Sequence, residues 1–147
     1  MFVFRTSNFV LCPKMISKKH ISLILTSITI LVWFINGLFC KILMFVPRHE
    51  EIVAKILTIT FSKEYALYAS VLTKMIGFAE LVMVVWIVSR FKRNICAFMQ
   101  IFIVILMNII EFLLAPELLL FGKTNIFVAL AFAMLVYYDN FVLQKAN

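Results

Sequence analysis

From Ile21 to Cys40 the chain carries no Asp, Glu, Lys or Arg, and the apolar run continues to Phe45. Crossing a hydrocarbon core ~30 Å thick takes about 20 mostly apolar residues at ~1.5 Å rise each. The stretch 21–45 therefore predicts a membrane-spanning helix. Three more follow, at about 66–89, 95–115 and 118–138. Lys74 and Glu80 interrupt the second, and the third carries Gln100, Asn108 and Glu111. The fourth is free of charge only from Thr124 to Tyr138, so Lys123 near its start has to snorkel to the headgroups. Residues 139–147 are left as a short tail.

Between the first two spans the pattern changes. Pro47 closes the first helix, and Ile52, Val53, Ile56 and Leu57 then recur at helical spacing opposite Arg48, Glu51 and Lys55. This predicts a short amphipathic helix, which can lie in the membrane interface, fold over the bundle mouth, or simply connect the spans.

Ahead of the first span, Lys14, Lys18 and Lys19 resemble the positive region of a secretory leader. A cleavage site needs small residues in an A-x-A-like pattern, and the first alanine is Ala54. The first span is therefore expected to stay uncleaved. Residues 1–20 form the N-terminal segment. The run Met15-Ile16-Ser17-Lys18-Lys19 reads as an alternative start, which makes 1–14 a tail or an upstream misassignment.

Composition supports the spans. Hydrophobic residues make up 65% of 147 and charged residues 14%, against ~45–50% and ~25% in soluble globular chains. A soluble domain this small cannot cover so much apolar surface. With only 3 Gly and 3 Pro, a turn-rich barrel is disfavoured. The fold class is all-α: an integral membrane four-helix bundle with a short amphipathic helix between spans 1 and 2.

The net charge is +7. Arg5, Lys14, Lys18, Lys19, Arg90, Lys92, Arg93 and Lys145 lie on one side of the predicted bundle; Arg48, Lys55, Lys63 and Lys123 lie on the other. Lys and Arg concentrate on the cytoplasmic side, so both termini are expected there, in a multi-pass protein of the cell inner membrane. Membrane orientation accounts for the basic residues, and no nucleic-acid partner is expected.

Soluble-enzyme signatures are missing. Cys12, Cys40 and Cys96 have no CxxC spacing, and His49-Glu50-Glu51-Ile52-Val53 lacks the second His of a zinc-protease motif. No metal site and no catalytic residue set is legible, and the chain reads as lacking catalytic activity of its own.

Buried polarity is the candidate chemistry. An intramembrane charge costs ~2.5–3.5 kcal/mol on the translocon scale, so such groups face the bundle interior and pair, or line a wet cavity. Asn36, Lys41, Lys74, Glu80, Asn108, Glu111 and Asn125 form the candidate polar cavity, mostly in the half facing the 1–2 loop. Trp33, Gly37 and Lys41 share one helix side, as do Thr73, Gly77 and Glu80. Gln100, Val104, Asn108 and Glu111 follow one stripe. Gly37 and Gly77 are placed to let two helices approach closely. Lys74 is expected to pair with Glu111, and Glu80 to meet amides or hydroxyls. The alternative is that these polar groups are interhelical glue.

The run Trp33-Phe34-Ile35-Asn36-Gly37-Leu38-Phe39-Cys40-Lys41-Ile42-Leu43, then Val46-Pro47-Arg48-His49-Glu50-Glu51-Ile52-Val53, resembles the opening of DoxX-like membrane proteins. Ile76-Gly77-Phe78-Ala79-Glu80-Leu81 in the second span agrees with that resemblance, as do Met107-Asn108 and Thr124-Asn125-Ile126 more weakly. The resemblance implies a small four-helix bacterial inner-membrane protein. Some relatives are subunits of quinone-linked thiosulfate oxidation, and others accompany NAD-dependent epimerase-like proteins. It thus implies an accessory membrane subunit linked to a redox or epimerase-like partner, with a quinone as ligand on the resemblance alone; no other cofactor is evident. The alternative is a stand-alone carrier or receptor for a lipid or small apolar molecule, using the polar cavity.

Overall fold

The computed structural model describes residues 18–119 and 122–143. The expectations for the leader and the Met15 start, and for the tail beyond Leu143, lie outside the described residues.

Among the described residues all regular structure is helical. Helix α1, Lys18–Phe34, continues as a π-helical segment, Ile35–Ile42. Helix α2 spans Arg48–Thr60, and a 3₁₀ turn, Lys63–Tyr68, leads into α3, Ala69–Ser89. Helix α4 spans Arg93–Leu114. After 3₁₀ turns at Pro116–Leu118 and Gly122–Thr124 comes α5, Asn125–Tyr137, which runs into a second π segment, Tyr138–Leu143. Four of these helical stretches, Lys18–Ile42, Lys63–Ser89, Arg93–Leu114 and Asn125–Leu143, are long and apolar enough to cross a membrane.

Each of the four expected spans overlaps one of these stretches, and the fourth differs most. The fourth starts at Asn125 rather than 118, and Gly122–Thr124 forms the turn before it. It also runs past Tyr138, so Asp139 belongs to the helix and not to a tail. We call the end capped by α2 the distal end. The proximal end holds the start of α1, the α3–α4 turn and the end of the last span.

The outward faces confirm the solvent. Leu31, Met75, Phe78, Val85, Phe98, Leu113, Phe127 and Met134 are all exposed. At roughly 25 cal/mol per Å² of apolar surface, such a face is stable only against lipid. Inside, Trp33, Met83 and Cys96 pack together, with Phe132 edge-on to the indole at 6.3 Å.

Two local features set the packing. Residues four apart drift by ~40° per step around an α-helix. A π turn, closed by i→i−5 bonds such as Leu43 N–H to Leu38 O at 2.8 Å, holds more than four residues and reverses that drift. Trp33, Gly37 and Lys41 consequently all end up buried. The second feature is the crossing of the first π segment with α3 at Gly37 and Gly77. A Cβ on Gly37 would sit 2.8 Å from the Gly77 carbonyl oxygen, and one on Gly77 would sit 2.7 Å from that of Gly37. Only glycine fits both positions.

Helix α2 folds over the distal mouth rather than lying apart in the interface. Glu50 and Glu51 in its first turn suit the helix dipole. Ile52 and Val53 are buried against the bundle, and Lys55 pairs with Glu117 after α4.

Candidate functional site

Beneath α2 the spans border a partly open cavity of ≈ 510 Å³. Its apolar lining includes Val32, Trp33, Ile103, Met107, Leu119 and Phe132. Its polar lining is Asn36, Lys41, Arg48, His49, Glu80, Asn108, Glu111 and Asn125. Six of the seven residues expected to form a polar cavity therefore meet in one.

Lys74 is the exception. Thr73 faces the interior at 1% exposure, and one residue further along α3 turns ~100° away, so the Lys74 side chain lies exposed on the bundle exterior. It does not line the cavity and cannot serve Glu111 there. The cation that meets a buried carboxylate is Lys41: its Nζ donates to Glu80 Oε1. The reason is the glycine crossing, which brings the backbones together one helical turn from both side chains. Glu80, expected to find amides or hydroxyls, has an ammonium instead.

The asparagines tie α4 to α5. Asn125 Nδ2 donates to Asn108 Oδ1 at 2.7 Å, and Asn108 Nδ2 donates to the Val104 carbonyl at 2.9 Å. Three buried atoms around the cavity meet no hydrogen-bond partner within the protein: Arg48 Nη1, His49 Nδ1 and Glu80 Oε2. Leaving a buried polar group unsatisfied costs ~1–3 kcal/mol. A ligand able to bond all three recovers that cost.

Arg48 and His49 were not expected here. Arg48 stands ~40° from Ile52 around α2, at the border of its apolar face, and at the first turn both Arg48 and His49 line the cavity. The available signal was their place directly after Pro47, where the chain re-enters the bundle mouth. Burial pushes the His49 imidazole below its usual value near 6.5, and the charges of Lys41 and Arg48 lower it further, against a smaller opposing effect of the Val46 backbone. His49 is thus held neutral at neutral pH, so the unfolded chain binds more protons than the folded one as pH falls through about 6.5. Stability from this residue is present above that pH and lost below it. Melting in detergent from about pH 7.5 to 5.5 is expected to show a drop that His49→Gln reduces; an identical drop in the variant would exclude His49 as the source.

A second polar cluster lies at the proximal end. Asp139, 2% exposed, accepts from Ser22 Oγ at 2.5 Å, Thr26 Oγ1 at 2.7 Å and Arg93 Nη2 at 3.1 Å. Arg93 Nε donates to Asn140 Oδ1 at 2.7 Å. Hydropathy alone assigns Arg93 to a loop and Asp139 to the tail, because the charges end the apolar runs. The overlooked signal was Ser22, Thr26 and Thr29 on one face of α1. Among the described residues no three of His, Cys, Asp and Glu are grouped to hold a metal ion. Cys40 borders the large cavity and Cys96 is buried in the core.

Four apolar spans around a partly polar cavity define a small helical membrane protein. The sequence model of the DoxX-like family matches residues 30–137, and the chain belongs to that family. Searches among curated proteins and among solved structures returned no match.

Proposed function

We propose that this chain is an inner-membrane binding protein whose distal cavity takes a small amphiphile with an apolar body and a neutral, hydrogen-bonding head. The carrying observation is the set of three buried, unpartnered atoms around one cavity, two on basic side chains and one on a carboxylate. Small-molecule sites are concave, mostly apolar, ~300–1,000 Å³ in volume, and carry a few convergent polar groups. Lys41 and Arg48 balance Glu80 and Glu111 in formal charge, with His49 neutral. An ionic head would unbalance that set. A head with both a carbonyl and a hydroxyl matches it, the carbonyl accepting from Arg48 and the hydroxyl donating to Glu80.

Native mass spectrometry of the purified protein tests this reading. A retained small neutral amphiphile, lost in Arg48→Met, supports it. Retention of bulk phospholipid alone, unchanged in that variant, refutes it.

The accessory role beside a redox partner is the second reading. Its support is the same pairing of donors and an acceptor, which also suits the carbonyl and hydroxyl forms of a quinone ring. Co-purification of a soluble oxidoreductase favours it over the stand-alone role.

The Lys and Arg distribution supports both termini in the cytoplasm and the cavity in the outer half. A reporter fused after Asn147 is expected to behave as cytoplasmic, and Ser62→Cys to be labelled from outside. Inverting both readouts overturns the orientation.

A further inference from the structure

On the cavity wall, one side chain reaches toward the proximal cluster. Trp33, 5% exposed, forms part of the cavity wall, and its indole Nε1 donates to Gln100 Oε1 at 3.1 Å. Gln100, 3% exposed, faces a second and far smaller void of ≈ 20 Å³, bordered also by Thr26, Arg93 and Asp139. That volume holds about one water. The two voids are thus linked through one hydrogen-bonded pair. A bundle held by apolar packing has no need of such a series, and buried ionisable groups in membranes commonly mark ion or proton pathways.

We propose that the bundle passes protons between its two ends, with Trp33 and Gln100 as the gate, Glu80 as the relay on the cavity side and Asp139 as the relay on the proximal side. The cargo is set by size: nothing larger than water fits the small void, so whatever occupies the large cavity cannot follow this route. The inference goes beyond the binding reading and does not depend on it.

The transfer balances without any electron donor or acceptor. A hydronium ion in the cavity gives its proton to Glu80 Oε2, the oxygen that Lys41 leaves free; one O–H bond breaks as the other forms. With the gate open, Glu80 returns that proton to water at the Trp33–Gln100 pair. That water hands the proton to the water in the small void, which passes it to an Asp139 oxygen and is left neutral, and Asp139 releases it to the proximal side. Both carboxylates are regenerated, and Lys41 and Arg93 beside them oppose the entry of metal cations.

The test uses the full chain in vesicles of phosphatidylethanolamine and phosphatidylglycerol. A pH-sensitive dye is trapped inside, valinomycin and potassium clamp the voltage, and acid is added outside. Wild type is expected to be nearly tight. Trp33→Ala is expected to raise the acidification rate about tenfold, the factor carried by ~1.4 kcal/mol of barrier, with no rise in chloride flux. Adding Asp139→Asn to Trp33→Ala is expected to return the rate to that of wild type. Trp33→Phe keeps the ring, loses the Nε1 donor, and is expected to show a smaller rise if the alanine variant does not fold. Folded variants at Trp33 with wild-type proton flux, an equal rise in chloride flux, or no effect of Asp139→Asn would each overturn the proposal.

Discussion

Gly77→Ala is expected to be the most damaging single-methyl change in this protein. Its Cβ would lie 2.7 Å from a backbone oxygen and 2.8 Å from the Lys41 Cβ, so a whole helix has to move rather than a side-chain tip. Overpacking of this kind costs typically ~1–3 kcal/mol. The movement also draws Lys41 away from Glu80, which adds to the loss. Gly37→Ala is expected to behave similarly, with the Gly77 carbonyl at 2.8 Å. Gly122 supplies the control: nothing lies within 4 Å of its would-be Cβ, and only its φ of 56° resists substitution. Gly122→Ala is therefore expected to cost about 1 kcal/mol from backbone strain alone. Thermal melting in detergent ranks the three. Equal, small losses at all three positions would contradict the close crossing.

The second large effect concerns the ion pair. Both Lys41 and Glu80 have side chains 11% exposed, and each compensates the other's charge. Lys41→Met leaves the Glu80 carboxylate buried without its cation, a change that costs about 3–5 kcal/mol in comparable buried pairs. Glu80→Leu is expected to cost a similar amount by stranding the ammonium. The double variant is expected to recover much of either loss, because an apolar pair needs no compensation. Lys74→Met, on the lipid-facing exterior, is expected to cause no loss of stability and to raise it, because a charge facing lipid is itself unfavourable. Additive losses at Lys41 and Glu80, or a large loss at Lys74, would show that the charges are arranged differently.

The spans were legible because lipid imposes a simple rule on composition. Twenty apolar residues in a row have few other uses, and the amphipathic spacing of Ile52 and Val53 gave the intervening helix equally directly. The inward faces of the first three spans followed from helical periodicity, and five of the six cavity residues came with them, Asn125 lying at the start of the fourth. What periodicity could not supply was the partner of each charge. Lys41 and Lys74 both carry a cation near the distal half. Choosing between them requires knowing that a π turn re-aims Lys41 and that two glycines let its backbone touch α3. Neither is encoded in a repeat of apolar positions. The proximal cluster escaped for the opposite reason. A charge at the end of an apolar run looks like the end of the helix, although Asp139 is buried with three donors around it.

Among the described residues, each buried ion pair has one member on a π segment: Lys41 within Ile35–Ile42, and Asp139 within Tyr138–Leu143. These wide turns replace part of the regular i→i−4 ladder, and π turns persist mainly where tertiary contacts hold them. The backbone there is expected to open at lower cost than the helix around it. Amide hydrogens of Ile35–Ile42 are accordingly expected to exchange with deuterium faster than those of the neighbouring turns of α1, although all lie within the same span. The consequence is a membrane helix with a soft joint at the level of its buried charge. Breaking the Lys41 pair should loosen that joint first, leaving the α-helical turns on either side protected.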